Sequence, residues 1–179
     1  MTTICHSDDM GKVTIYGQVP SKSNGYRIIT ICGHSSLGKT KALKDDNVYA
    51  YNPIGNFNTR IYREGSSGFE WTVLTDMSKS KINSKYSTFL SGDAPLVRII
   101  NNDLPDAGNV LIIKDSFGNA MAPFFTQNYH TVYVVDYRYY PKSLSNLVGS
   151  LGINDIIFLP NISDLQTRAV GDLLQKYKK

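Results

Sequence analysis

The sequence predicts an α/β fold: a parallel sheet with helices on its faces, carrying a β-rich segment at its front. Two observations carry that expectation. From Val110 onward, apolar strand-like runs alternate with helix-like stretches, the pattern of successive βαβ crossovers. Before residue 95 the texture differs, with short runs rich in β-branched and aromatic residues broken by Gly, Pro, Asn and Ser. A chain of 179 residues, 41% hydrophobic and 19% charged, has the length and balance of one folded domain with a substantial core.

Residues 1–11 are polar and expected to be loose. Residues 12–17 and 26–33 are predicted strands. Short strand-like runs follow at 47–51 and 57–63, on either side of the turn Asn52-Pro53-Ile54-Gly55. Residues 69–74 alternate apolar and polar, as a half-buried strand does. Residues 77–90 carry a polar helical turn or two. Ser91-Gly92-Asp93-Ala94-Pro95 is then a turn before the apolar run 96–100.

The regular part continues with a strand at 110–113, a helix at 117–127 whose regularity Pro123 limits, and a strand at 131–136. A helix at 142–151, a strand at 155–159 and a helix at 164–177 complete it. No linker separates the two textures, so residues 1–179 read as one domain with a β-rich part, 1–95, and an α/β part, 96–179.

A net charge of +4 without a basic run interleaved with aromatics gives no nucleic-acid surface, and part of the charge sits in Lys176, Lys178 and Lys179. The 12 tyrosines suit half-buried strands and sugar-contacting surfaces equally. Cys5 and Cys32 have no metal-ligand spacing and leave one disulfide or none open. No stretch is long enough to span a membrane, and the first residues carry no apolar signal core. No cofactor motif other than the one described next stands out, and the oligomeric state is not encoded in any pattern.

Gly33-His34-Ser35-Ser36-Leu37-Gly38-Lys39-Thr40 fits the phosphate-binding loop G-x-x-x-x-G-K-[ST] letter for letter and follows a predicted strand. In such a loop Lys39 would reach terminal phosphates and Thr40 would ligate magnesium, with Asp115 as a second anchor. Only Lys41-Ala42-Leu43-Lys44 follow before Asp45-Asp46-Asn47 breaks the helix that the motif must feed. The competing reading is a Gly/Ser-rich turn with a solvated lysine.

The run Val110-Leu111-Ile112-Ile113 ends in Lys114-Asp115-Ser116, where strand turns into helix. Ligands of open α/β sheets bind beyond the carboxyl ends of strands. A serine there, over the free amides and positive end of a helix, is a candidate nucleophile with a place for an oxyanion beside it. Asp and Ser are also favoured helix caps, and that structural role competes with the chemical one.

The segment from Leu111 to Phe125, then Tyr133-Val134-Val135-Asp136-Tyr137-Arg138-Tyr139-Tyr140, then Ile156 to Ile162, resembles the carboxyl half of a bacterial SGNH-hydrolase-like family. That family is named for an upstream Asp-His-His-Trp (DHHW) motif and is similar to the O-acetyltransferases that modify exopolysaccharides such as alginate. The stretch from Tyr86 to Leu96 is similar to its Tyr, Phe-Leu, Gly-Gly-Asn, Pro segment, and residues 36–51 to its Gly-Ser and Asp-Thr-Ile segment. The second of these makes the Gly-Lys-Thr match a coincidence.

The resemblance implies a three-layer, flavodoxin-like SGNH fold and acyl transfer or ester hydrolysis on an O-acylated carbohydrate, without a cofactor, at the cell envelope or outside the cell. It makes Ser116 the nucleophile and Asn161 an oxyanion donor, although the Gly-x-Asn context of that asparagine is absent. It makes Asp115, Gly118 and Arg138 substrate contacts, while a salt bridge of Arg138 with Asp136 or packing on a tyrosine competes with that role.

The sequence contains no Asp-His-His-Trp, and its histidines are His6, His34 and His130. His130 starts a strand at the amino end of the sheet, away from Ser116. A serine esterase needs a base and a carboxylate that orients it. The expectation is therefore either a chain truncated at its amino end or a relative that has lost activity, and in both cases one poorly active alone. Two alternatives remain. One is a non-catalytic envelope domain that holds a glycan or protein on a surface near Tyr137, Tyr139 and Tyr140. The other is a nucleotide-binding protein acting through residues 33–40.

Overall fold

A computed structural model describes Ala50, residues 52–77, 79–80 and 82–161, and the backbone of three strands nearer the front of the chain. Those three are β1 (Ile4–Ser7), β2 (Val13–Tyr16) and β3 (Arg27–Thr30). β1 and β2 form a separate antiparallel pair with Ile4 opposite Tyr16 and Ser7 opposite Val13. The expectation of a loose segment over residues 1–11 is thus corrected at β1, where pairing with β2 supplies the backbone partners that a polar segment otherwise finds in water. The loop at 33–40, the side chains of Cys5 and Cys32, the helix at 164–177 and most of the run at 47–51 lie outside the described residues.

The remaining strands are β4 (Phe57–Tyr62), β5 (Phe69–Trp71), β6 (Leu96–Asn101), β7 (Asn109–Lys114), β8 (Thr131–Asp136) and β9 (Ile153–Leu159). With β3 they form one seven-stranded sheet in the order β3-β9-β7-β8-β6-β4-β5. The fold is of α/β type, but the sheet is mixed. β7 runs parallel to β8 and β9, and β9 to β3, as the alternation after Val110 predicts. β6 runs antiparallel to both β8 and β4, and β4 antiparallel to β5.

The reason lies in a connection. Residues 102–108 between β6 and β7 are too few for a parallel crossover, which takes a dozen residues or more. β6 therefore runs antiparallel to β7, and it is placed on the far side of β8, antiparallel to that strand as well. Strands from before and after residue 95 share this sheet.

Helix is sparse among the described residues. The helix expected at 117–127 is instead a 3₁₀ segment, Ser116–Ala120, followed by the four-residue α1 (Ala122–Phe125). Pro123 lies in the first turn of α1, where its missing N–H is harmless but no hydrogen bond can carry the preceding turn onward. Residues 77–90 contribute a 3₁₀ segment, Ile82–Thr88. α2 (Leu144–Ser150) starts at Ser143, whose hydroxyl accepts from the amide of Asn146.

The strand period of two sorts the core onto both faces of the sheet. Val110, Ile112, Val132, Val134 and Ile157 pack with Ile61, Val97, Ile99 and Ala122 of α1 on one face. Leu111, Ile113, Val135 and Ile156 pack with Leu144 of α2 on the other. Each such Val, Leu or Ile side chain contributes about 1.5–3 kcal/mol by leaving water. β7, apolar from Val110 to Ile113, is buried on both faces, which fixes the end of that strand as a rigid platform.

Candidate active site

β7 and β8 end side by side, with Lys114 opposite Asp136, and β6 begins next to them with Leu96 opposite Val135. Two carboxyl ends and the approach to an antiparallel strand therefore meet at one rim. The end of β9 joins through Leu159, which pairs with Lys114.

Asp115 is buried at this rim, and backbone amides engage both of its carboxylate oxygens. Oδ1 accepts from the Phe117 amide at 2.8 Å and Oδ2 from the Asn161 amide at 2.5 Å. Asp115 thus caps the 3₁₀ segment and ties the end of β7 to the chain leaving β9. Ser116 follows, half-buried, and its hydroxyl has no hydrogen-bond partner among the described residues. Its carbonyl accepts a hydrogen bond from the Tyr86 hydroxyl. The expected helix dipole is a correction: a five-residue 3₁₀ segment sums few peptide dipoles, and the Phe117 amide is already engaged.

Behind Ser116 lies a charge network. Lys114, 1% exposed, places Nζ 2.9 Å from Oδ2 of Asp136, which is 0% exposed, and 3.7 Å from Oδ1 of Asp93. Arg138 embraces Asp136 from the other side, Nε to Oδ1 at 2.9 Å and Nη2 to Oδ2 at 2.7 Å, and reaches Oδ2 of Asp93 at 3.0 Å. Two cations and two carboxylates balance. Burial opposes ionisation of Asp136, but Arg138 and Lys114 together hold its carboxyl below the usual range. Burial lowers Lys114, against the pull of Asp136 and Asp93, while the hydrogen-bonded Asp136 pushes Arg138 further up.

Asp93 links this network to Ser116. Its Oδ1 accepts from the Asn119 amide at 3.1 Å and lies 3.3 Å from the Tyr86 hydroxyl, and Asn119 also donates to that hydroxyl. Burial, then the Asp93 carboxylate, push the Tyr86 phenol up, so it is a neutral donor at neutral pH.

The rim brings Ser116, Asp115, Gly118, Arg138 and the backbone of Asn161 into one neighbourhood. Gly118 is buried on Lys114: a Cβ there would lie 2.4 Å from the lysine Cβ. Arg138 has both structural partners that compete with a ligand, Asp136 and the Tyr139 ring 5.0 Å from its Cζ. His130 lies at the opposite end of β8, where its Nδ1 is 3.1 Å from the Asn101 carbonyl. The side chains of His6 and His34 lie outside the described residues. Of the tyrosines expected to form a surface, Tyr137 and Tyr140 are buried and only Tyr139 is open, because the chain turns after β8, with the Tyr140 amide donating to the Asp136 carbonyl, and brings positions three apart onto the core side.

Sequence reasoning did not single out Tyr86, Asp93, Asn119, Lys114 or Asp136 as site residues. Their meeting depends on the antiparallel placement of β6, which no local spacing announces. Among the described residues no cluster of His, Cys, Asp or Glu could hold a metal ion, and no helix is long and apolar enough to cross a membrane.

A family model described as DHHW protein matches residues 9–135. The chain belongs to the DHHW family. Its fold is similar to that of a DHHW family protein from Eubacterium siraeum DSM 15702, with a TM-score of 0.63 and 23% identity over 79% of this chain and 49% of that one. It is also similar to PatB1 of Bacillus cereus, with a TM-score of 0.53 and 23% identity over 62% of this chain and 37% of that one. A PatB1 structure with a sulfonyl adduct gives a TM-score of 0.52 at 22% identity, over 62% of this chain and 38% of that one. At such identities the likeness is one of fold, and this DHHW chain spans half or less of each of these structures. No curated protein matches it.

Proposed function

We propose that this chain carries the nucleophilic serine of an SGNH-type, three-layer acyl-transfer or esterase domain that acts on O-acylated carbohydrate at the cell envelope or outside the cell. The observation that carries the reading is the Ser116 hydroxyl, without a hydrogen-bond partner among the described residues, one residue past the buried Asp115 at the end of β7, on a backbone that Tyr86 and the Asp115 clamp hold in place. Such rigidity lets a nucleophile meet an acyl carbon without reorganisation. The sulfonyl adduct on a structure of the same fold adds support, because a sulfonyl group is what a sulfonylating reagent leaves on an activated nucleophile.

In the proposed step the Ser116 Oγ attacks the acyl carbon, the bond from that carbon to the donor oxygen breaks, and the hydroxyl proton passes to a base. Asn161 stands as the oxyanion donor, and Arg138 with Asp115 and Gly118 as the substrate side of the rim. His130, at the far end of β8, does not serve as that base. Because the sequence contains no Asp-His-His-Trp motif to supply base and orienter, we expect this chain alone to be a poor catalyst, since removing both leaves only residual rate enhancement.

Added imidazole supplies a base and tests both halves of the proposal. Hydrolysis of p-nitrophenyl acetate should equal that of Ser116→Ala without imidazole and exceed it when imidazole is present. Equal rates in both conditions would remove Ser116 as nucleophile, and fast turnover without imidazole, lost in Ser116→Ala, would remove the missing base.

A further inference from the structure

The seven-stranded sheet ends at β5, and among the described residues only β4 hydrogen-bonds to its backbone. Phe69 and Trp71 are 38% and 42% exposed, and Glu70 between them is exposed as well. Soluble proteins guard a bare strand edge with charge, proline or a bulge, because its unpaired N–H and C=O groups are a template for another strand. β5 has no proline and no register shift, and it carries a single charge.

The two faces of β5 differ. Phe69 and Trp71 stand opposite Ile61 and Thr59, both buried, so the aromatic pair carries the apolar layer of the core out to the open edge. Their rings meet edge to face, with centroids 5.9 Å apart at 88°, and the Trp71 Nε1 donates to the Thr75 hydroxyl at 3.1 Å. The pair is thus assembled before anything binds it. On the other face Glu70 ends a row that runs from Tyr133 through Arg98 and Arg60, and its carboxylate has no ion-pair partner among the described residues.

That carboxylate decides what fits. A second copy paired about a twofold axis at Glu70 would set Phe69 opposite Trp71, but also Glu70 opposite Glu70, and like charges directly opposite in a sheet are destabilising. A strand with a basic residue at that position, flanked by β-branched or aromatic residues, satisfies Glu70 and the aromatic pair together. We propose that β5 is a docking edge for an extended segment of a partner protein with the pattern apolar-basic-apolar, added to the sheet as a further strand. The inference does not rest on acyl transfer, since β5 lies four places from β7 in the sheet.

Trp71 is the single tryptophan of the chain, so its emission reports this edge alone. Octapeptides with Val-Lys-Val, Val-Glu-Val or Ser-Lys-Ser at their centre, titrated into the full chain, test the assignment. The Val-Lys-Val peptide should shift the emission and bind roughly tenfold tighter than the other two. Glu70→Gln should abolish the preference for lysine over glutamate, and Phe69→Ser should weaken both valine peptides; both positions are exposed. Two further versions of the Val-Lys-Val peptide, N-methylated on one or the other set of alternate amides, separate strand pairing from side-chain contact. One should bind and the other fail, because only one edge of an added strand faces β5. Equal binding of the lysine and glutamate peptides, no binding of any peptide at millimolar concentration, or equal affinity of the two methylated peptides would overturn the proposal. So would an emission that shifts when the chain alone is concentrated, which would put a second copy on this edge.

Discussion

Asp136 has no exposed surface, yet it is ionised, because Lys114 and Arg138 meet it from two sides. Removing one member of a buried pair leaves a desolvated charge behind, which typically costs about 3–5 kcal/mol. Asp136→Asn should therefore lower stability by about 3 kcal/mol, read as the shift of a denaturant midpoint. The pH dependence has a definite sign. The folded-state pKa of Asp136 is depressed, so its stabilising contribution is complete above the ordinary aspartate value of about 3.9 and disappears as pH falls through the depressed one. The melting temperature of the parent chain should fall steeply below about pH 4, and Asp136→Asn should flatten that acid limb. That Ser116 and Arg138 lie at the rim was legible in the sequence, each falling just past an apolar strand. Their neighbours Tyr86 and Asp93 were not, since a tyrosine in a polar stretch and an acid in a glycine turn carry no local sign of what they will touch.

The turn that delivers Asp93 is the least relaxed element described. Leu90, Ser91 and Gly92 occupy successive left-handed conformations with φ of 51°, 61° and 80°. A buried Leu90 in that region is costly, and it persists because its side chain is locked in the core and Arg63 donates to the carbonyls of Ser91 and Asp93 at 3.3 and 2.9 Å. Gly92→Ala adds a third side chain to the run, with a Cβ 3.3 Å from the Ser87 hydroxyl. It should cost about 1–2 kcal/mol, measured as a lower melting temperature. The sequence marked this stretch as a turn from Ser91-Gly92-Asp93, but the handedness of Leu90 is imposed by burial, which propensity does not contain. The same holds for the segment after β7, where Pro123 signalled an interruption and packing on Lys114 and Tyr86 turned the first half into 3₁₀.

At the scale of the whole molecule the parallel ladders of β7, β8 and β9 follow from the apolar runs that specify them, and the strand boundaries at Leu96 and Thr131 were readable to the residue. The order of the sheet was not, because pairing of β6 with β8 rather than with β7 is a long-range choice that no local pattern in the chain records. The connection between β6 and β7, 102–108, lies at the end of the sheet away from Ser116, is largely exposed, and is anchored by Asp103 accepting from the Asn56 amide at 2.7 Å. β8, which follows the loop, pairs with β6, which precedes it, over the five positions from Leu96 to Ile100. A protease nick between Pro105 and Asp106 should therefore leave two fragments that elute together under native conditions and separate in denaturant. Independent elution under native conditions would refute the expectation. A protein that survives such a cut can be supplied in two halves, so that reassembly itself becomes the switch for whatever the rim does.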